Sequence, residues 1–287
     1  MNRGIFLILS GYIIWGSFPI YWSLLNHVEP SEVLAHRIIW SIPVLLLFVG
    51  LKPSWRNNVR AALGDKGELL LLLITGILIC INWGTFILAV NLGRVIEGSM
   101  GYFLSPILNI LGGFIFFKER VSSLQKYAIG FTTAGSLYYI VSVNVFPWLG
   151  LVLAFSFASY GLMRKAMKSS AVPGLLLETI LLLPITLLFV IWMAGNTPIA
   201  FLAIDRSTDL FLFLAGIVTV VPLVLFTSGA RLLPMTTAGI LSFINPTLQF
   251  LVGYYYFNEP FNTNQFIGFI GIWFGLLLYC YSLVKKA

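Results

Sequence analysis

VIEGSMGYFLSPILNILGGFIFFKE, residues 95–119, lies without a gap on MTTAGILSFINPTLQFLVGYYYFNE, residues 235–259. Phe103 meets Phe243, Pro106 meets Pro246, Leu108 meets Leu248 and Leu111 meets Leu251, while Gly113, Phe117 and Glu119 meet Gly253, Phe257 and Glu259. These are seven identities in 25 at an offset of about 140, roughly half of a 287-residue chain. A second correspondence, at an offset nearer 142, sets His36 opposite Glu178. The chain therefore reads as two related halves, 1–142 and 143–287, joined head to tail.

Both copies are long apolar runs, and so is most of the rest. The chain is 59% hydrophobic and 9% charged, with a mean hydropathy of +0.96. A soluble globular chain carries about 25% charged residues, and a soluble fold of this composition would expose large apolar patches and aggregate. A bilayer removes that problem. A spanning helix needs about 20 apolar residues, and ten runs qualify: 4–25, 31–51, 69–91, 96–117, 123–142, 146–163, 173–194, 209–231, 236–257 and 263–284. A β-barrel would alternate apolar and polar residues; the unbroken run from Leu69 to Ile81 does not. The expected fold is an all-α integral membrane protein of ten transmembrane helices. The gaps 52–67 and 195–208 are too short for a soluble domain. The first run is too long for a signal-peptide core, so it is expected to stay in the membrane.

Orientation follows from the basic residues, which collect on the cytoplasmic side. With the N-terminus inside, the cytoplasmic segments hold Arg3, the group Lys52, Arg56, Arg60 and Lys66, the group Lys118, Arg120 and Lys126, the group Arg164, Lys165 and Lys168, then Arg231, Lys285 and Lys286. Only Arg37, Arg94 and Arg206 fall outside, 3 against 14. Both termini are then cytoplasmic, in the inner (plasma) membrane. Five helices per half is an odd number, so the second half runs through the bilayer upside down. Inverted repeats are a transporter architecture with the substrate site near the midplane between the repeats.

Polar groups in these runs are costly and therefore informative. Glu32, His36 and Trp40 share one face of the second helix, with Arg37 beside them, and Glu32 and His36 can pair. Glu97 lies near the start of the fourth helix, followed by Tyr102. Glu178 is the deepest acid, and its desolvation calls for a proton or a basic partner. Ser105 and Asn109 in the fourth helix, and Asn245 and Gln249 in the ninth, form matching i, i+4 stripes. Pro106 and Pro246 each remove a backbone donor and can free carbonyls to line a cavity; interhelical hydrogen bonding is the competing use of these stripes. Asn82 and Trp83, Trp15 and Tyr21, and Tyr160 add aromatic and amide groups that suit an organic ligand as well as interfacial anchoring. These residues form the candidate cavity. Glu178 and His36 are the candidates for proton coupling, should transport be proton-driven.

Other chemistry finds no support in the sequence. Cys80 and Cys280 sit in apolar runs without metal-ligand or disulfide spacing. Two histidines, His27 and His36, are too few for a histidine-rich metal centre, and no P-loop, HExxH or GxSxG occurs. No cofactor is expected. The net charge of +7 is spread over short loops, which does not suit nucleic acid. The expected partners are membrane lipid and a small-molecule substrate, with a homodimer left open.

WGSFPIYW (15–22), EVLAHRIIWS (32–41), NWGTFILAVN (82–91), AFSFASYGLMRK (154–165), ETILLLP (178–184) and GIVTVVPLVLF (216–226), with the two repeat segments, resemble the RarD branch of the EamA-type permeases in the drug/metabolite transporter superfamily. The likeness runs end to end. It implies two inverted five-helix bundles around a central cavity lined largely by helices three, four, eight and nine. It also implies a secondary transporter for small metabolites or drugs, working by alternating access, with efflux the expected direction. Small multidrug-resistance proteins of the same superfamily carry an acid in their first helix; residues 4–25 have none, so that proton-exchange scheme does not transfer. An uncoupled metabolite facilitator and, from another class, an integral membrane enzyme are the alternatives.

Overall fold

The computed structural model describes residues 2–92, 95–142, 148–258 and 263–285, without the side chains of residues 2, 90, 91, 95–100 and 265. Its regular elements are helices: α1 (Asn2–Gly16), α2 (Phe18–Ser23), α3 (Pro30–Leu51), α4 (Pro53–Leu63), α5 (Lys66–Asn91), α6 (Val95–Phe117), α7 (Ser123–Ser142), α8 (Trp148–Ala166), α9 (Ala171–Asn196), α10 (Arg206–Ala230), α11 (Met235–Ser242), α12 (Ile244–Tyr255) and α13 (Thr263–Val284). Among the described residues seven spans are long and apolar enough to cross a bilayer, and Gly101–Phe117 is a shorter apolar helix. Large side chains such as Phe6, Leu47, Ile115, Leu188, Ile191 and Leu277 point outward. That outer surface suits lipid, and the chain is an all-helical integral membrane protein.

Two of the apolar runs are broken helices. The first run divides at Ser17 into α1 and α2, because Pro19 has no N–H to give the Trp15 carbonyl one turn earlier. The run 236–257 divides at Phe243 into α11 and α12, with Pro246 playing the same part toward Ser242. Pro106 differs: α6 continues through it as one helix. The gap 52–67, read from the sequence as loop, instead holds α4. Trp55, Val59 and Ala62 turn inward while Arg56, Asn57 and Arg60 stay exposed, the pattern of a helix lying in the membrane interface. Pro53 in its first turn is a helix-start signal.

The most extensive packing joins α7 to α13. Small residues make that seam: a Cβ on Gly135 would lie 2.6 Å from the Gly268 carbonyl, and one on Gly275 2.6 Å from that of Ala128. Lipid supplies no hydrophobic drive between helices, so such close backbone approach provides the attraction. Elsewhere α6 packs on α8 and α11; α1 on α10 and α12; α3 on α9 and α10; and α5 on α8 and α9. This second group surrounds the site.

Candidate functional site

The break in α1–α2 leaves the Trp15 carbonyl free, and Gln249 Nε2 donates to it at 3.4 Å. The same amide nitrogen donates to Asn245 Oδ1 at 3.2 Å, one turn back on α12. The break of the first helix thus meets α12 at Gln249, beyond that helix's own break at Phe243, beside a cavity. Trp15 and Phe18 enter it from the first broken helix, and Asn245 and Gln249 from the second. Asn82, Trp83 and Phe86 come from α5, Tyr102 from α6, Phe157 from α8 and Arg37 from α3. Trp15 meets Phe157 edge-on with ring centres 5.4 Å apart, and Phe86 meets Tyr102 at 5.6 Å. Asn82 donates to the Leu153 carbonyl at 2.9 Å and to Ser156 Oγ at 3.1 Å, tying α5 to α8.

Among the described residues Arg37 is the one charged group on this wall. Its side chain is 2% exposed. The guanidinium lies 4.6 Å from the Trp22 ring centre and 4.5 Å from that of Trp83, and Nε donates to Thr219 Oγ1 at 3.0 Å. A second cavity also has Phe86 in its wall and is lined by Trp22, Leu25, Asn26 and Val28, beside the segment after α2.

The opposite end is closed by polar contacts centred on the turn between α8 and α9. Arg164 Nε lies 3.4 Å from Glu178 Oε1, which also accepts from Thr75 at 2.6 Å. Tyr160 donates to Glu178 Oε2 at 3.4 Å. The basic partner that Glu178 calls for is therefore Arg164. Glu68 accepts from the Ser169 N–H at 2.7 Å, Arg231 donates to the Ser169 carbonyl at 2.6 Å, and Asn58 of α4 accepts from the Ser170 N–H at 3.0 Å. Glu119 receives the N–H groups of Met235 and Thr236 at 2.6 and 2.8 Å, an anion on the N-terminus of α11. Lys165 reaches that carboxylate at 3.4 Å. Outside the spans, the hydrogen bond from Lys168 holds the Asp65 carboxyl below its ordinary range, and Asp65 in turn raises Lys168.

Of the residues singled out in the sequence, Trp15, Arg37, Asn82, Trp83, Tyr102, Asn245 and Gln249 stand on the cavity wall. Tyr21 donates instead to the Phe211 carbonyl at 2.5 Å. His36 accepts from Trp40 Nε1 at 2.8 Å, lies 3.9 Å from Glu32, and packs on Phe201. Consecutive helical residues diverge by about 100°, so Arg37 faces the cavity where His36 does not. Glu32 accepts the N–H groups of Ala200 and Phe201, each at 2.9 Å. Tyr160 belongs to the Glu178 cluster. Ser105 and Asn109 are buried away from the cavity wall, Asn109 in the α6–α11 contact, where a Cβ on Gly239 would lie 2.8 Å from the Pro106 carbonyl and 3.3 Å from Asn109 Cβ. The side chain of Glu97 lies outside the described residues. Sequence reading passed over Phe18, Phe86 and Phe157, because one phenylalanine among 24 carries no signal of its own.

The model of the EamA-like transporter family matches the chain twice, over residues 2–141 and 147–281. The chain is 37% identical to the uncharacterized transporter YojE of Bacillus subtilis, over 99% of this chain and 95% of that one. It is 35% identical to protein RarD of Escherichia coli (97% and 94%) and 32% identical to the chloramphenicol-sensitive protein RarD of Pseudomonas aeruginosa (96% and 93%). A crystal structure superposes with a TM-score of 0.73 over 96% of both chains at 14% identity, a likeness of fold alone.

Proposed function

Because the chain belongs to the EamA-like transporter family, on its RarD-like branch, we propose that it is a secondary transporter moving small organic molecules across the inner membrane by alternating access. The observation that carries this reading is the cavity: aromatic, built from helices of both halves, with a second cavity beside it toward one end and the Arg164–Glu178 and Glu119–Lys165 contacts closing the other. A membrane-buried binding site closed on one side is what alternating access requires.

The reading includes ten spans in two inverted repeats. Pair α1–α2 with α8, α3 with α9, α5 with α10, α6 with α11–α12, and α7 with α13. Under that exchange the α1–α10 contact becomes α8–α5, α3–α10 becomes α9–α5, and α6–α8 becomes α11–α12 against α1. The α3–α9, α6–α11 and α7–α13 contacts map onto themselves. A two-fold axis in the membrane plane produces this pattern, and the double family match supports it. With the basic residues inside, the sealed end is cytoplasmic and the cavity faces outward. Reporter fusions after Arg56 and after Asp205 are expected to read cytoplasm and exterior respectively; either fusion reading the opposite side overturns this topology.

Counterflow in proteoliposomes against a metabolite panel that includes chloramphenicol tests the function. Exchange across a sealed membrane is expected for part of the panel. The cavity variant Trp83→Ala is expected to lower it by roughly tenfold, as for loss of about 1.4 kcal/mol of binding. Trp192→Ala, on the outer surface, is expected to leave it unchanged. Exchange indifferent to Trp83→Ala, or no exchange by any compound, refutes the proposal.

A further inference from the structure

Arg37 is a cation in a membrane interior with no carboxylate beside it among the described residues. A charge there is expensive and ordinarily finds a counter-charge, as Arg164 finds Glu178 at 3.4 Å. Arg37 instead has Trp22 and Trp83 within cation–π distance, at 4.6 and 4.5 Å. Its Nε–H is committed to Thr219 at 3.0 Å. The two Nη groups donate to none of the described residues, and the side chain belongs to the cavity wall. That wall is otherwise aromatic rings and the neutral amides of Asn82, Asn245 and Gln249. What is left is one guanidinium edge, oriented by its ring and hydroxyl contacts, on a cavity of rings and neutral amides with no competing anion among the described residues. A guanidinium edge fits a carboxylate or phosphate oxygen pair, and the missing counter-charge is what an anionic ligand supplies.

We propose that Arg37 is the anion-binding residue of the cavity, and that the solute it takes is a small organic anion: an acidic group on the Nη edge of Arg37 and a flat apolar body among the rings of Trp15, Trp83, Phe86 and Phe157. This rests on the cavity being the transport site. Trp15 and Trp83 supply a fluorescence signal in the purified full-length protein in detergent. The probes are benzoate and phenylacetate against benzamide and phenylacetamide, matched in shape and lacking the charge. The acids are expected to bind at least tenfold tighter than the amides at low salt. Arg37→Gln is expected to abolish that difference and Arg37→Lys to retain part of it. Acids and amides binding equally, neither binding, or the acid preference surviving Arg37→Gln overturns the proposal. The wild-type comparison decides even if a variant fails to fold. Counterflow separates the two readings. Acid binding through Arg37 without vesicle exchange refutes transport and leaves the anion site standing. Exchange of neutral or cationic solutes with the acids inert does the reverse.

Discussion

Glu178→Gln is expected to destabilise the protein by about 3–5 kcal/mol, the usual cost of removing one partner of a buried ion pair. Arg164 and Glu178 are 2% and 0% exposed, and their charged atoms lie 3.4 Å apart. Glutamine keeps the shape and the hydrogen bond from Thr75, but it removes the counter-charge in contact with the Arg164 guanidinium and leaves only the more distant Glu68 acting on it. That guanidinium has little room to turn elsewhere, since a Cβ on Gly174 would lie 2.2 Å from its Nη1. Its Nε and Nη1 also find no hydrogen-bond acceptor among the described residues. Pairing Glu178→Leu with Arg164→Met removes both charges and is expected to recover most of the loss. Thermal unfolding in detergent, read by size exclusion after heating, distinguishes the three proteins. The coupling role gives another outcome: Glu178→Gln would melt like the wild type, exchange substrate, and lose only pH-gradient-driven accumulation. His36→Gln belongs in the same assay, and its contacts with Trp40, Glu32 and Phe201 point to intact exchange.

Gly216→Ala is expected to affect stability and the site together. A Cβ at this position on α10 would lie 2.3 Å from the Trp40 carbonyl carbon, 2.4 Å from its oxygen and 2.7 Å from the Ser41 nitrogen. These are backbone atoms of α3, so no rotamer change relieves the clash and the helices must part. Overpacking of this kind costs about 1–3 kcal/mol. Arg37 lies one turn before Ser41, and Thr219 one turn after Gly216, so the 3.0 Å bond from Arg37 to Thr219 stretches as α3 and α10 separate. A fall in melting temperature with weakened solute exchange is therefore the expected result. Gly50→Ala, at a position with nothing within 4 Å, serves as the control and should change neither. Equal melting of the two variants would show that α3 and α10 approach less closely than described.

Every apolar run read from the sequence coincides with a helix or a pair of helices in the structure. The paired Pro106 and Pro246 segments, the basic asymmetry and the membrane class were equally legible. Each is a property of about 20 consecutive residues, and the bilayer sets that length and composition without regard to what the helix packs against. The break at Ser17 is legible too, through Pro19; the helix α4 is not, because its polar residues have the composition of a loop. The partners were beyond reach. Nothing near Glu178 in the chain announces Arg164, and nothing separates His36, turned to Trp40, from Arg37, turned to the cavity. Ser105 and Asn109 have the spacing of a lining stripe, yet both are buried in helix packing, Asn109 against α11. In a soluble protein the polar face of a helix marks its outside. Here lipid and protein interior are both apolar, so the sequence of a helix determines that it spans and barely which way it faces. Only packing of the helices against one another decides which few polar side chains meet in the cavity, which meet each other, and which cation is left with no carboxylate beside it among the described residues.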